Sequence, residues 1–511
     1  MGLLAVPSFA HADDLVVSAR IEPIMDPWQQ WATPVVGIQQ HYMGYLTATD
    51  RFGQPGPALA TSYEQLDGLW RFKLREGITF DDGSPFSAAD VVASLNRARS
   101  SDASISGFSG IFAGVTDIVA VDDHTVEIRT SRPMPTLPVG LSQVAIAPAR
   151  IAESASRADF NNAESNVGIG PFSFVEYVPG NVLRLKRNES YYGPKPEWEN
   201  LTFRILPDAS ARVAALLGGD VDIIEAVPAS QIDVIKSNPD LQVVTGPSDR
   251  SVFFFVDSVR DVTPFVKGPN GEALTDNPLK DVRVREALSI AIDRNAIRDR
   301  LMGGLSQPSG QIVPEGFGGY AENIPVPAYD PERARQLLAE AGWKDGFTLT
   351  MHCWDLYAQQ CQGVPPMLTR IGVKTELTIL PRAAYWPQMT DRNGERGSFF
   401  AMSWGATSGG EANVLETVIH TWDSDKDLGA WNLTGYSNPE IDALVEKAMS
   451  EPDAPARHAM QAKAMEMTME DMAVVPFHVL PVITAARADL EFETFANENV
   501  YAAFVKKKRS E

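Results

Sequence analysis

The chain has little of what usually marks chemistry. Cysteine occurs twice and histidine seven times in 511 residues. His11, His41, His124, His352, His420, His458 and His478 stand singly, without the spaced histidine–carboxylate pattern of zinc hydrolases, and no second cysteine pair completes a metal site. No G-x-S-x-G elbow occurs and no phosphate loop ends in G-K-[ST]. Gly168-Ile169-Gly170 runs into Pro171 and lacks the third glycine of a dinucleotide loop. Positive charge is also short: 44 Lys and Arg stand against 66 Asp and Glu, a formal net charge of −22. Such a surface repels phosphate backbones and anionic lipid headgroups, which argues against nucleic-acid and membrane-surface partners. The one basic run, Lys506 to Arg509, reads as a solvated tail. Finally, no apolar stretch is long enough to span a bilayer. Nothing here asks for a metal or a cofactor.

What is present describes an exported globular protein of more than one domain. Leu3 to Val6 is apolar and Ala10-His11-Ala12 is an A-x-A cleavage signal, so residues 1–12 read as the remnant of a signal peptide. No cysteine follows that cut, which argues against a lipid anchor. In an oxidising compartment Cys353 and Cys361, eight positions apart, are expected to form a local disulfide.

Strand and helix signals alternate, as in an α/β protein. Trp70, Phe72 and Leu74 alternate with Arg71, Lys73 and Arg75, and Thr125 to Thr130 and Asn181 to Lys186 follow suit. Ser87 with Asp90, Asp330-Pro331 and Asn438-Pro439 are helix starts, and Gly342 is a stop. Residues 282–302 read as one longer amphipathic segment through Ala287, Leu288, Ala291 and Ile292. Asp81-Asp82-Gly83 suggests paired carboxylates, but Gly83, Ser84 and Pro85 make it a turn.

Tryptophan and tyrosine gather in polar, irregular surroundings: Trp354 and Tyr357 within the cysteine loop, Tyr385-Trp386 after a strand, and Trp404 before the Gly-rich run to Glu411. A flat aromatic wall beside exposed backbone and hydroxyls is what a small-molecule site uses to orient a polar ligand.

Several blocks resemble the dipeptide/oligopeptide (family 5) solute-binding proteins of ABC importers. The most recognisable runs from Leu69 to Ala98. The blocks Gly168 to Pro194, Asp281 to Ile297, Tyr329 to Trp343, Gly435 to Ala448 and Ala473 to Val479 follow in the family's order. The resemblance implies a type II, cluster C periplasmic binding protein: two α/β lobes joined by a hinge, with an extra domain. Lobe I would take residues 13–47, 168–255 and 484–511, the extra domain 48–167, and lobe II 256–483. It further implies a soluble periplasmic monomer that binds a peptide or similar solute, hands it to an ABC permease in the inner membrane, and catalyses nothing. Trp404 to Asn413 matches a loop that in many dipeptide binders supplies an Asp for the peptide's ammonium. Here those positions read Ala406, Thr407 and Ser408, so that Asp is missing, and with Leu368 to Leu377 the loop is more similar to the glutathione-binding branch. Glu411 either replaces the missing anion or fixes the loop's own amides. Ordinary dipeptides are thereby put in doubt, leaving γ-glutamyl or modified peptides, opines and sugar conjugates open. The expected ligand contacts are Trp404, Ala406, Thr407, Ser408 and Glu411, then Tyr385, Trp386, Trp354 and Tyr357, with Asp26 and Trp28 from lobe I. A secreted hydrolase of peptides or glycosides and a chaperone-like module are the rival readings.

Overall fold

The period-two alternation of Leu69–Leu74 becomes a strand that buries Trp70, Phe72 and Leu74 and turns Lys73 to solvent. The computed structural model describes residues 13–29, 32–100, 108–392, 394–406, 413–426 and 428–509. The signal-peptide reading of residues 1–12 lies outside them. No helix among the described residues is long and apolar enough to cross a membrane.

The chain divides into two units: one within Met1–Arg132, Leu137–Gly246 and Val482–Glu511, the other within Pro133–Thr136 and Pro247–Pro481. The first is built on a mixed sheet in the order Phe172–Val178, Val182–Arg187, Asn200–Ile205, Asp14–Ala19, Ile223–Ile224, Val482–Arg487 and Leu241–Gly246. Within that unit a second, antiparallel sheet is ordered Ala60–Leu66, Leu69–Leu74, Thr125–Thr130 and Val115–Asp122. The helix Ala88–Arg99 contacts it, its Ser87 N–H donating to the Asp90 carboxylate at 2.8 Å.

The second unit has its own sheet, ordered Val266–Lys267, Phe347–Trp354, Phe399–Gly405, Arg250–Val256, Val474–Val479 and Gln307–Pro308, with Val373–Leu380 added beside Phe347–Trp354. Arg250–Val256 pairs on both sides inside this sheet. The crossing therefore falls between 246 and 247, ahead of the expected boundary at 255. Phe254 centres the core, 4.9 Å from Phe399 and 5.0 Å from Phe477. Leu288, Leu337, Leu338, Leu349 and Met351 pack into the same cluster.

Residues 282–302, read as one segment, form two helices, Val282–Ile290 and Arg294–Leu301. Asp293 caps the second by accepting from the Ala296 N–H at 2.9 Å, and the Arg294 guanidinium collects the carbonyls of Ser289 and Ile292 at the end of the first. Asp330 and Asn438 cap their helices, and Gly342 leaves its helix at φ 88°.

Candidate ligand-binding site

In open α/β sheets, ligands bind outside the carboxyl ends of parallel strands. The second unit gathers three such ends. Phe347–Trp354 runs parallel to Val373–Leu380 along its length, and to Phe399–Gly405 at Met351 and His352. Trp354 closes the first strand, Trp404 lies next to the close of the third, and the helix Arg382–Met389 after the second carries Tyr385 and Trp386.

These residues form a continuous aromatic wall. Trp354 meets Trp386 edge-on at 5.6 Å, Trp386 meets Trp431 at 5.6 Å, and Trp431 meets Trp404 at 6.0 Å. All four indoles are half-buried. Each such pair adds about 0.5–1.5 kcal/mol beyond its area burial, so the rings hold one another in place. The Arg382 guanidinium lies 5.9 Å from the centre of the Trp354 ring, and Arg250 Nη1 donates to Ser403 Oγ at 3.4 Å.

Tyr357 and Tyr385 stand behind the wall. Tyr385 is fully buried, packs 5.3 Å from Trp386 and donates its phenol to the Ala401 carbonyl. Burial raises its pKa well above the ordinary phenol value. Tyr357 is buried, packs 5.5 Å from Trp354 and shares a hydrogen bond with Ser403 Oγ. Both hydroxyls are engaged within the protein, so these tyrosines support the tryptophans. Ala406 is buried too, its N–H donating to the carbonyl of the buried Asp249 at 2.8 Å. Thr407, Ser408 and Glu411 lie outside the described residues.

Cys353 and Cys361 are joined in a disulfide, their Cα atoms 6.6 Å apart. The bridge closes the segment that carries Trp354 and Tyr357. Among the described residues no cluster of three His, Cys, Asp or Glu is arranged to hold a metal. His41, His352 and His478 are buried, and that burial lowers the pKa of each to about 4.

The first unit has strand ends of its own. Asp14–Ala19 is parallel to Asn200–Ile205 and to Ile223–Ile224, and Arg20 and Glu225 follow two of these strands directly. They line a small recess, about large enough for one water, together with Ser18, His41, Phe203 and Asn499. Arg20 bonds Glu498 at 2.7 Å and lies 3.8 Å from Glu225, which also accepts from the Val500 N–H at 2.7 Å. Burial raises the Glu225 pKa.

Asp26 and Trp28, expected as ligand contacts from the first lobe, are tied into this unit's interior. Asp26 accepts from the Trp28 N–H at 3.1 Å and pairs with Arg97 at 3.5 Å. Trp28 donates to the Ala145 carbonyl at 3.0 Å, with Arg97 over its ring at 4.7 Å. Sequence reasoning missed Trp431, although Gly429-Ala430-Trp431-Asn432 has the polar, Gly-containing setting that singled out the other tryptophans. Nothing in the sequence marks Arg20 or Glu225.

Residues 54–426 match the family model described as bacterial extracellular solute-binding proteins, family 5, middle. The chain belongs to the family 5 extracellular solute-binding proteins. This family 5 protein is 24% identical to the glutathione-binding protein GsiB of Escherichia coli (strain K12) over 500 residues, 96% of this chain and 93% of that one. Its fold is shared with the ABC transporter substrate-binding protein CtaP of Listeria monocytogenes, with a TM-score of 0.82 at 22% identity over 97% of this chain and 99% of that chain. It is shared too with DppA from Helicobacter pylori in complex with the peptide STSA, at TM-score 0.76 and 20% identity over 97% and 98% of the two chains. The family 5 fold is thus the two-lobe α/β fold of periplasmic binding proteins, and the chain is a solute-binding protein.

Proposed function

We propose that this family 5 protein is the extracytoplasmic capture component of an ABC importer, and that it delivers a peptide-like small solute unchanged to an inner-membrane permease. The observation that carries this is the tryptophan wall, built where three parallel strands end in a chain of the solute-binding family. Trp354, Trp386 and Trp404 contact the solute, Tyr357 and Tyr385 hold them, and Thr407, Ser408 and Glu411 are expected as further contacts. Asp26 and Trp28 set the shape of the first lobe. Residues 48–167, with their own antiparallel sheet, act as the extra domain. The ligand stabilises a closed form of the two lobes. Moving that equilibrium from 1:99 to 99:1 takes about 5.5 kcal/mol of differential binding, within reach of a few buried hydrogen bonds and ring contacts.

The test begins with protein unfolded, stripped of ligand and refolded, with the released small molecules identified by mass spectrometry. Glutathione, di- to pentapeptides, opines and oligosaccharides are then added in a thermal-shift panel. A ligand at 100 times its Kd adds about 2.7 kcal/mol of stability, and it should be recovered intact. Turnover of the bound compound would make the protein a hydrolase. Affinity for unfolded chains alone would make it chaperone-like.

A further inference from the structure

The four indoles of the wall leave their polar edges unused. Among the described residues, Trp354, Trp386, Trp404 and Trp431 donate no hydrogen bond through their N–H groups. The two fully buried tryptophans behave otherwise: Trp28 donates to Ala145 at 3.0 Å and Trp198 to the Val505 carbonyl at 2.8 Å. Trp404 Nε1 is the sharper case, because it is shut off from solvent and still has no acceptor. A buried donor in that state is destabilising, and in native proteins it usually points to a water, ion or ligand that completes it.

Groups of both polarities stand at the Trp354 end of the wall. The Arg382 guanidinium is exposed over Trp354, and the exposed Asp355 carboxylate adjoins Trp354 in the chain. The Tyr357–Ser403 hydroxyl pair lies behind. Half-buried indoles with unused N–H edges, and charged groups of both signs at one end, suit a molecule with an apolar flat side and a hydroxyl-bearing rim. A pyranose ring is that molecule. Its axial C–H groups lie on an indole face, while each hydroxyl both accepts from an N–H and donates to a carboxylate. Backbone pairing along a strand edge, one of the ways an extended peptide is held, is not something four indoles supply.

We infer that the tryptophan wall of the second unit binds a sugar ring, so that the cargo is a sugar-bearing solute rather than an unmodified peptide. This rests on the solute-capture reading above and names the substrate class of the same site.

The experiment is a titration of the refolded, ligand-free protein followed by tryptophan fluorescence and calorimetry. The probes are cellobiose, chitobiose, maltotriose and N-acetylmuramyl dipeptide on one side, and glutathione and trialanine on the other. At least one sugar-bearing probe should bind saturably and change the tryptophan emission. Its affinity should fall tenfold or more in Trp386→Ala. In Trp404→Phe, which keeps a flat face and removes the buried N–H, it should fall several-fold. Trp386→Phe serves as the milder variant if Trp386→Ala does not fold. Saturable binding of glutathione or trialanine with no response to any sugar probe overturns the sugar assignment and leaves solute capture standing. No binding by any probe, with no small molecule released on unfolding, overturns both.

Discussion

Asp81 and Gly168 bind each other twice. The Asp81 N–H donates to the Gly168 carbonyl at 2.9 Å, and the Gly168 N–H donates to the Asp81 carboxylate at 3.2 Å. The Asp81-Asp82-Gly83 stretch is a turn, with Gly83 at φ 85° and the Ser84 N–H on Asp82 at 2.9 Å, and this pair of hydrogen bonds fastens it to the segment that starts at Gly168.

Burial pushes the Asp81 carboxyl up to about 6, with the charge of Asp82 acting the same way and the Ser173 and Gly168 hydrogen bonds opposing. The folded chain therefore holds this proton more tightly than the unfolded chain. Its contribution is fully present below the ordinary carboxylate pKa of about 3.9 and is lost as pH rises through 6, a swing of about 3 kcal/mol. Asp81→Asn keeps an acceptor for Gly168 and removes the charge. The variant should be more stable than the parent at pH 8, with the advantage shrinking toward pH 4. Urea midpoints at five pH values read this directly, and a difference that stays flat with pH refutes it.

Gly168 itself has no room for a side chain. A Cβ there would sit 1.8 Å from the Tyr42 carbonyl oxygen, which already accepts from the Gly170 N–H at 3.0 Å. Gly168→Ala should destabilise by about 3 kcal/mol, because backbone rather than a side-chain tip must move. Gly56→Ala, whose Cβ would meet only the Ala48 carbonyl at 3.9 Å, serves as the control and should change stability by less than about 0.5 kcal/mol. Equal losses at the two positions would remove the steric account.

Helix starts were legible because their signals are local. Asp330, Asn438 and Ser87 with Asp90 each act within a few residues, and each does in the structure what its spacing says. The break after Ile290 was hidden, because it depends on Arg294 reaching Pro476, a contact 182 residues away. The candidate site was half legible for the same reason. Aromatic clustering drew attention to Trp354, Tyr357, Tyr385, Trp386 and Trp404. Only the parallel pairing of three separated strands decides that the tryptophans line the wall and the tyrosines stand behind it. Trp431 joins them through contacts with Trp386 and Trp404 that no sequence spacing encodes.

The Cys353–Cys361 disulfide spans eight positions and closes the segment holding Trp354 and Tyr357. In the chain-entropy model a loop of this size contributes about 2–3 kcal/mol by restricting the unfolded chain. Replacing both cysteines by Ala should lower stability by that amount. It should also weaken ligand binding, because the Trp354 end of the wall is then less fixed. Urea unfolding of the parent with and without reductant checks the first effect, and calorimetric titration checks the second. Unchanged affinity would limit the bridge to stability.

Arg294 is 2% exposed, and burial pulls its pKa down to about 9. Its guanidinium donates to the carbonyls of Ser289 at 2.9 Å, Ile292 at 3.3 Å and Pro476 at 2.6 Å, and to Ser289 Oγ at 3.0 Å. His478 Nε2 donates in turn to the Arg294 carbonyl at 3.0 Å, so the helix junction and the strand Val474–Val479 share one polar knot. Arg294→Leu fills much of the volume but orphans several buried carbonyls, each costing about 1–3 kcal/mol. The expected loss is about 3–5 kcal/mol, while Arg294→Lys, with one cationic tip in place of a fork, should lose less. The partners are carbonyl dipoles and a hydroxyl in a buried setting, so the loss should hardly change between low and high salt. A loss that vanishes in high salt would mean that Arg294 acts through a distant charge and that the carbonyl account is wrong.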